Sequence, residues 1–345
     1  MAVGSTKVLF IVGFARSGTT LIGNLLGEYE GVTHAGEVRM LWKRDLAQAG
    51  PPCGCGEVVP VCNWWNEVLR DWASQSALLP SQIGGGSDPP SGGLVSGSNL
   101  REVGRAMAIM QRSVERGFWR LRWRPEDHRN LVSEYATTHA RLYGAISRTA
   151  ASSVVVDSSK RPVHAAILHS AAGVDPYLVH VVRDPRGVVY SRQRKGEKTK
   201  ADGSRTNRTQ AGWDAVKWLH RNLVAERVMK MYGPGRSMFL RYEDFTSDPK
   251  GAIESILSML GEPSEGSPFV APAAAMLGPN HVSGGNRNRF VRGRIEINQD
   301  LRWADGLSPL DQAVVRVLAG VGLNRYGYGK SFDNKVMSAP PGHQG

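Results

Sequence analysis

Short apolar runs alternate with amphipathic stretches along this chain. Four runs of four to six residues are largely apolar and end at glycine or a charged residue, as parallel strands do. They lie at residues 7–12, 153–156, 177–182 and 237–241. Helical periodicity marks residues 19–29, 64–72, 101–122, 130–149, 213–231 and 249–260, and Pro185 suits the first turn of another helix. The alternation predicts an α/β protein with a parallel sheet covered on both faces.

The order of these elements predicts a single domain over residues 1–335. We expect a three-layer fold in which a central parallel sheet of about four to five strands is flanked by helices. A helical and loop insertion is expected at about residues 40–150. Within it, residues 80–98 are rich in Gly, Pro and Ser, which is typical of a mobile loop. Residues 336–345 are expected to form a disordered tail.

Composition narrows the class of protein. The chain has 345 residues, of which 41% are hydrophobic, and no apolar run approaches the roughly 18 residues of a membrane span. The N-terminal apolar run is too short for a signal peptide, so we expect a cytoplasmic protein. The net charge of +12 suits a polyanionic partner. Basic stripes interleaved with aromatic residues and zinc-finger spacings are absent, so nucleic acid is not expected as a partner.

Three cysteines, Cys53, Cys55 and Cys62, occur in one short segment. An odd count in one segment argues against a disulfide framework. A C-x-C…C cluster could bind zinc, but the sequence offers no evident fourth ligand nearby. Free thiols or one local bridge is therefore the favoured interpretation, and we predict no metal.

The clearest chemical motif is the segment G-F-A-R-S-G-T-T at residues 13–20. It lies between a predicted strand and a predicted helix, where backbone N–H groups and a helix N-terminus converge on an anion. The spacing is that of a P-loop, with Thr19 at the position of the usual Lys and Arg16 as the nearby cation. Because the Lys that reaches the outer phosphates of a triphosphate is missing, the loop favours a shorter 5′ group. The expected fold is therefore of the P-loop type.

A second anion site is predicted after the strand at 177–182. Arg183 stands at the strand end, and Ser191 follows eight residues later, with Lys195 one turn beyond. Ligands of open α/β sheets bind outside the carboxyl ends of the strands, so this site is expected on the same edge as the first. Two anion sites suit a nucleotide that is phosphorylated at both its 5′ and 3′ positions.

Taken together, these motifs resemble the sulfotransferases that use 3′-phosphoadenosine-5′-phosphosulfate (PAPS), in particular the carbohydrate and tyrosylprotein sulfotransferases and their bacterial relatives. The resemblance implies a PAPS cosubstrate and no metal. It implies that the 5′-phosphosulfate is held by Arg16, Ser17, Gly18, Thr19 and Thr20. It implies that the 3′-phosphate is held by Arg183, Ser191 and Lys195.

Further segments resemble the same family. The sequence RYEDF at 241–245 is similar to a segment whose Tyr contacts the cofactor, here Tyr242. The run HVSGGNRNRF at 281–290 resembles a loop that closes over PAPS, with Arg289 as the expected contact and Ser283 as a candidate hydroxyl. That run departs from the G-N-P-x-R of the bacterial relatives.

The catalytic residues implied by the resemblance are Glu37, Lys160 and Arg16. Glu37, in the segment H-A-G-E, is expected to be the general base, and Lys160 is expected to stabilise charge at the bridging oxygen. His34 is the rival base, because its ordinary pKa suits the role better. Arg39 is a candidate to orient an anionic acceptor. The acceptor is expected to be a hydroxyl of a small molecule, a sugar or a tyrosine.

Two other functions compete with sulfuryl transfer. The segment VVVD ending at Asp157 is similar to the strand that carries a Mg²⁺ ligand in P-loop kinases, so an ATP–Mg phosphotransferase is the alternative enzyme. A non-catalytic polyanion binder would also suit the net charge. The tryptophans of the insertion are interpreted as core rather than as an acceptor pocket: Trp42, Trp64, Trp65, Trp72, Trp119 and Trp123.

Overall fold

The computed structural model describes residues 5–46, 50, 52–75, 97–117, 126–197 and 209–329. Contacts within the chain divide it into two compact units. The larger unit comprises the residues up to Val182 together with Arg221–Gln299, and the smaller unit comprises Arg183–His220 together with the residues from Asp300 onward. The single-domain organisation stays a prediction.

Five parallel strands form the sheet of the larger unit. They are β1 (Thr6–Gly13), β2 (Val32–Gly36), β3 (Val154–Lys160), β4 (Val174–Val182) and β5 (Ser237–Arg241). The strand order is β2-β3-β1-β4-β5. This arrangement confirms the predicted α/β fold, and it puts β1 in the middle of the sheet with two strands on either side.

Thirteen helices occur in the described part of the chain. They are α1 (Thr19–Leu26), α2 (Val38–Met40), α3 (Asn63–Ser74), α4 (Gly97–Gly117), α5 (Glu126–Thr149), α6 (Pro162–Leu168), α7 (Pro185–Glu197), α8 (Thr209–Tyr232), α9 (Tyr242–Ser247), α10 (Pro249–Leu260), α11 (Trp303–Gly306), α12 (Pro309–Leu318) and α13 (Gly320–Arg325). A π-helical turn, Leu41–Leu46, continues α2. None of them is long and apolar enough to cross a bilayer.

The alternation of side chains along β1 builds a core on each face of the sheet. Val8, Phe10 and Val12 pack into one cluster with residues of α3, α5 and α6. Leu9 and Ile11 point to the opposite face and pack with residues of α1 and α10. Successive strand side chains point to opposite faces, so a strand that is apolar throughout must be covered on both. The larger unit therefore has the three layers that the sequence predicts.

Three tryptophans of the insertion, Trp42, Trp65 and Trp72, are buried in the first of these clusters. The ring centroids of Trp42 and Trp72 lie 5.1 Å apart. Trp64 is partly buried and packs against the same cluster. Trp119 and Trp123 lie outside the described residues. The core interpretation therefore holds for the members that the structure describes.

Several elements differ from the sequence-based prediction. The edge strand β2 reads V-T-H-A-G, which has too few apolar residues to be recognised as a strand, and it forms because it pairs with β3. A small antiparallel sheet was also not predicted, with strands β6 (Phe269–Ala271), β7 (Ala274–Leu277) and β8 (Gly293–Glu296). Helix α4 already begins at Gly97, within the stretch predicted to be a loop, whereas residues 80–96 and the expected tail at 336–345 lie outside the described residues.

Candidate active site

The predicted phosphate loop connects the central strand β1 to helix α1. Gly18 caps the helix in the left-handed conformation, at φ 82°. The hydroxyl oxygens of Ser17 and Thr19 are buried and have no hydrogen-bond partner among the described residues. Buried hydroxyls in proteins are nearly always paired, so two unpaired ones in a loop at a helix N-terminus fit an anionic ligand.

Two other segments pack directly against this loop. A β-carbon on Gly18 would lie 2.7 Å from Cδ2 of Tyr242, so only glycine allows the Tyr242 ring to lie against the backbone there. Thr20 Oγ1 accepts a hydrogen bond from the backbone N–H of Asn286, at 3.3 Å. The loop therefore contacts Tyr242 and the segment that contains Arg289, and their contacts with a cofactor stay predictions.

Glu37 and Lys160 form an ion pair at the carboxyl end of the sheet. Lys160 is the last residue of β3 and lies in register with Val12, one residue before the phosphate loop. Glu37 follows directly after β2, and its backbone N–H donates to the carbonyl of Ser283 at 2.7 Å. The side chains of Glu37 and Lys160 are 17% and 13% exposed, so the pair is largely removed from water. The two residues named as catalytic thus meet beside the loop that contains the third, Arg16.

His34, the rival base, lies in β2 with both ring nitrogens occupied. Its Nδ1 lies 3.0 Å from the amide oxygen of Asn24, and its Nε2 lies 2.9 Å from the hydroxyl of Ser158. Since the amide oxygen can only accept, Nδ1 carries the proton, and Nε2 accepts from Ser158. Burial, and then the positive charge of Lys160, lower the pKa of His34 from 6.5 to about 3. A ring with an occupied lone pair and such a pKa is a poor general base.

Asp157, the candidate Mg²⁺ ligand of the kinase alternative, is completely enclosed. One carboxylate oxygen accepts from the hydroxyl of Tyr143 at 2.6 Å and lies 3.3 Å from Nε2 of His164. The other accepts from the backbone N–H of Ser159 at 2.7 Å. Burial raises the pKa of this carboxyl, but the hydrogen bonds from His164, Ser159 and Tyr143 outweigh it and leave the pKa lowered. Both oxygens are thus engaged within the protein, which disfavours a metal-binding role.

Arg289 is buried in a 3₁₀ turn, Arg287–Phe290, and is engaged with backbone carbonyls. Its Nε donates to the carbonyl of Pro52 at 3.0 Å, and its Nη1 donates to that of Gly285 at 3.2 Å. The hydroxyl of Ser283 donates to the buried carboxylate of Asp45. These contacts hold the loop at residues 281–290 in place, and a contact of Arg289 with the cofactor stays a prediction.

The second predicted anion site belongs to the smaller unit. Nη2 of Arg183 donates to the carbonyl of Asp300 at 3.2 Å and lies 3.3 Å from its carboxylate. Hydrogen bonds from Arg302, and then the charge of Arg183, lower the pKa of Asp300 to about 2 despite partial burial. Ser191 is buried in α7. Lys195 lies in the same helix, but its side chain is not among those that the structure describes.

Two further arginines lie near the catalytic pair. Arg39 forms a bidentate ion pair with Glu115 of α4, with Nη2 2.6 Å from Oε2, so its guanidinium is already engaged. Arg161, which the motifs did not single out, follows Lys160 directly. Burial, and then the charge of Arg39, lower its pKa, and none of the described residues forms a hydrogen bond or ion pair with its side chain. In the sequence, the only sign of Arg161 as a site residue is its position next to Lys160. Because its guanidinium has no such partner among the described residues, Arg161 is a better candidate than Arg39 for contacting an anionic acceptor.

Comparison with known proteins bears on the identity of this site. The model of the sulfotransferase family matches residues 95–266 of the chain, a stretch that includes Lys160, Arg183, Ser191 and Tyr242. No curated protein matches the sequence.

Among solved structures, the chain is similar to a sulfotransferase domain from the curacin biosynthetic pathway, with 14% identity and a TM-score of 0.46 over 92% of this chain and 99% of that one. It is similar to the sulfotransferase domain of the olefin synthase of Synechococcus PCC 7002, with 18% identity and a TM-score of 0.45 over 92% and 95% of the two chains. It is also similar to a sulfotransferase from Alicyclobacillus acidocaldarius, with 13% identity and a TM-score of 0.38 over 90% and 95%. These values are too low for the likenesses to carry an argument about this chain.

Proposed function

Since this chain belongs to the sulfotransferase family, we propose that it moves a sulfuryl group from PAPS to a hydroxyl group of a small-molecule, sugar or tyrosine acceptor. The acceptor oxygen attacks sulfur in line. A new O–S bond forms as the S–O bond to the 5′-phosphate breaks, and adenosine 3′,5′-bisphosphate leaves with the electron pair. The acceptor proton goes to a general base.

The observation that carries this proposal is the meeting of three strand ends in the larger unit. β1 leads into a loop with two unpaired buried hydroxyls, β3 ends in Lys160, and β2 leads into Glu37, which pairs with Lys160. Transfer of a sulfuryl group needs positioning and fixed positive charge more than covalent chemistry, and it resembles phosphoryl transfer in this respect. A base, a cation and an anion-binding loop are therefore the groups that the reaction requires.

Each of these groups has a distinct role in the proposed reaction. Glu37 accepts the proton of the acceptor hydroxyl, because its ion pair with Lys160 holds its carboxylate close to the loop. Lys160 and Arg16 offset the negative charge that develops on the sulfuryl oxygens and on the leaving phosphate. Ser17, Gly18, Thr19 and Thr20 bind the 5′-phosphosulfate. With these cations in place, we propose that no metal ion takes part in the transfer of the sulfuryl group.

The remaining predicted residues are assigned to the nucleotide part of the donor. Arg183, Ser191 and Lys195 are proposed to bind the 3′-phosphate, since a forked guanidinium and a hydroxyl suit a phosphate without a metal. Tyr242, which packs on Gly18, and Arg289 are proposed as further contacts of the nucleotide.

The donor assignment is tested by titrating the purified protein with adenosine 3′,5′-bisphosphate in Mg²⁺-free buffer, with ATP–Mg²⁺ as the comparator, in a calorimeter. We expect micromolar or tighter binding of the bisphosphate. We expect Arg183→Ala to weaken it at least tenfold, and the exposed Arg316→Ala, in the same unit, to leave it unchanged. Tighter binding of ATP–Mg²⁺ would support the phosphotransferase instead.

The base assignment is tested with a panel of phenols and sugars, by following the release of the bisphosphate from PAPS. Glu37→Gln keeps the size of the side chain but cannot take a proton, so we expect kcat to fall by about 100-fold or more while bisphosphate affinity is retained. Glu30→Gln, at an exposed position shortly before β2, is the matched control. A Glu37→Gln enzyme with a normal kcat would exclude Glu37 as the base.

A further inference from the structure

The three cysteines of the insertion are brought together with a histidine that lies far away in the sequence. Cys53 and Cys62 are buried, Cys55 is half-buried, and Nδ1 of His281 faces them. The three sulfur atoms and this nitrogen all lie within 4.8 Å of one another. The sequence alone did not offer a fourth ligand for the cysteines, and the fold supplies one from a segment 219 residues after Cys62.

We propose that Cys53, Cys55, Cys62 and His281 bind a structural Zn²⁺ ion. Thiolate and imidazole ligands are those that zinc takes in closed, four-coordinate sites. A site in which the protein supplies all four ligands leaves no open position for a substrate or a reacting water, so the role is structural.

The distances between the ligand atoms fit a tetrahedral ion. With Zn–S bonds of about 2.3 Å and a Zn–N bond of about 2.0 Å, tetrahedral geometry separates two sulfurs by about 3.8 Å and a sulfur from the nitrogen by about 3.5 Å. Cys62 Sγ lies 3.7 Å from Cys53 Sγ and 3.6 Å from Cys55 Sγ. His281 Nδ1 lies 3.3 Å from Cys62 Sγ and 3.9 Å from Cys53 Sγ. Only Cys53 Sγ and Cys55 Sγ, 2.8 Å apart, must separate to admit the ion.

The surroundings of the cluster favour thiolates and fix the histidine. The backbone N–H of Trp65, in the first turn of α3, donates to the sulfur of Cys62, and the backbone N–H of Cys55 donates to Cys53 Sγ at 3.4 Å. N–H groups aimed at sulfur stabilise metal-bound thiolates. The His281 ring stacks on Trp64, with an interplanar angle of 7° and centroids 5.3 Å apart. These contacts orient the ligands before any metal arrives.

Charge balance also suits the site. Binding Zn²⁺ displaces three thiol protons into solvent, so the coordinated ion with three thiolates and a neutral imidazole carries a net charge of −1. Arg292 lies beside the cysteine loop, where its guanidinium donates to the carbonyl of Gly54, between Cys53 and Cys55, at 3.0 Å. Its guanidinium offsets that residual charge.

The proposed ion would join two segments that help to build the candidate active site. The cysteine loop already contacts the residues around His281, because the N–H of Gly54 donates to the carbonyl of Val282 at 3.1 Å and Trp65 Nε1 donates to that of His281 at 2.8 Å. The carbonyl of Ser283, which follows Val282, accepts a hydrogen bond from the backbone N–H of Glu37. The metal would therefore hold the loop at residues 281–290 against the insertion and keep Glu37 in place.

The proposal is tested by measuring the metal content of the full chain by elemental mass spectrometry. The protein is purified without chelators from cells grown with added zinc. We expect about one zinc per chain in the wild type, and less than about a tenth of that in Cys62→Ser and in His281→Ala. His281→Cys, which restores a fourth zinc ligand, should regain the metal. His220→Ala, at an exposed histidine, should keep it.

A second measurement does not depend on the folding of the variants. The wild-type protein, stripped of metal, reduced and titrated with Co²⁺, should develop the visible absorption of tetrahedral cobalt and a sulfur-to-metal charge-transfer band, both removed by Zn²⁺. A wild type without zinc that takes up neither ion would overturn the proposal. So would an intact mass two hydrogens lower than the sequence requires, since that would show a disulfide between two of the cysteines.

Discussion

At the scale of single residues, backbone strain occurs at two positions of the candidate site. Arg16 and Lys160 adopt left-handed φ angles of 73° and 64°, and Ala151 is the only other described non-glycine residue with a positive φ. A residue with a β-carbon in this conformation costs roughly 1–2 kcal/mol. Such strain persists where the surrounding structure over-determines the backbone, as it does at active sites.

Comparing two substitutions of Lys160 isolates this strain. Both Lys160→Ala and Lys160→Gly remove the partner of Glu37, but only glycine adopts the left-handed conformation without strain. We therefore expect the glycine variant to be more stable than the alanine variant by about 1 kcal/mol, with activity lost equally in both. Urea unfolding of the two variants measures the difference. Equal stabilities would show that the backbone at Lys160 is not strained.

His34 makes stability depend on pH. The unfolded chain protonates this histidine near its ordinary pKa of 6.5, whereas the folded protein does so only at about 3. Between pH 6.5 and pH 3 the unfolded state therefore binds more protons than the folded state. Above pH 6.5, His34 does not change the free energy of unfolding. Between pH 6.5 and about pH 3, it lowers the free energy of unfolding by about 1.4 kcal/mol for each pH unit.

Replacing His34 removes its contribution to the pH dependence of the unfolding free energy. We expect His34→Asn to flatten the fall in unfolding free energy between pH 6 and pH 4 relative to the wild type, whatever its effect at pH 7. Urea unfolding at several pH values, at constant ionic strength, measures the slope. His139, also buried with a pKa lowered to about 3 by burial first, contributes to the slope that remains. Parallel pH profiles for the two proteins would contradict the lowered pKa of His34.

At the scale of elements, the end of β2 packs closely against the loop at residues 281–290. Gly36 forms a β-bridge with Ser283, and a β-carbon on Gly36 would lie 2.2 Å from the carbonyl oxygen of Ser283. Gly36 also has a φ of 89°. The next residue is Glu37, so the direction in which the proposed base leaves the sheet depends on this close approach.

Gly36→Ala is expected to disturb both stability and activity. It adds a backbone clash to the left-handed strain, so we expect a loss of at least about 2 kcal/mol of unfolding free energy, together with a fall in kcat. Gly261→Ala is the matched control, because Gly261 has a φ of 68° but open space around the position of its β-carbon. That variant should lose only about 1 kcal/mol and keep its kcat. Similar losses in the two variants would contradict the importance of the contact with Ser283.

At the scale of the whole molecule, the net charge of +12 favours polyanionic ligands such as the proposed donor. Salt screens such attraction, with a Debye length of about 10 Å at 0.1 M. We expect the affinity for adenosine 3′,5′-bisphosphate to fall severalfold between about 0.05 and 0.5 M NaCl, and the weak binding of uncharged adenosine to change little. Calorimetric titrations at three salt concentrations measure both. An equal salt dependence for the two ligands would contradict an electrostatic contribution to donor binding.

Local patterns along the chain predict the class of fold and the motifs of the candidate site. The apolar runs of β1, β3 and β4 are local signals, since a strand buried on both faces must be apolar throughout, whereas the edge strand β5 is only partly buried. The phosphate loop at residues 13–20 is also a local signal, because its glycines and hydroxyl-bearing residues are neighbours in the chain. Burial of Trp42, Trp65 and Trp72 was likewise foreseen from their pattern.

The tertiary structure alone decided which distant residues meet. The edge strand β2 gains its conformation from pairing with β3, so its own five residues carry little signal. Occupation of both nitrogens of His34 depends on Asn24 and Ser158, which come from different elements. His281 lies 219 residues after Cys62, yet its ring completes the cysteine cluster. Such contacts are long-range, and no local pattern encodes them, because they depend on how the sheet brings separate segments to one edge.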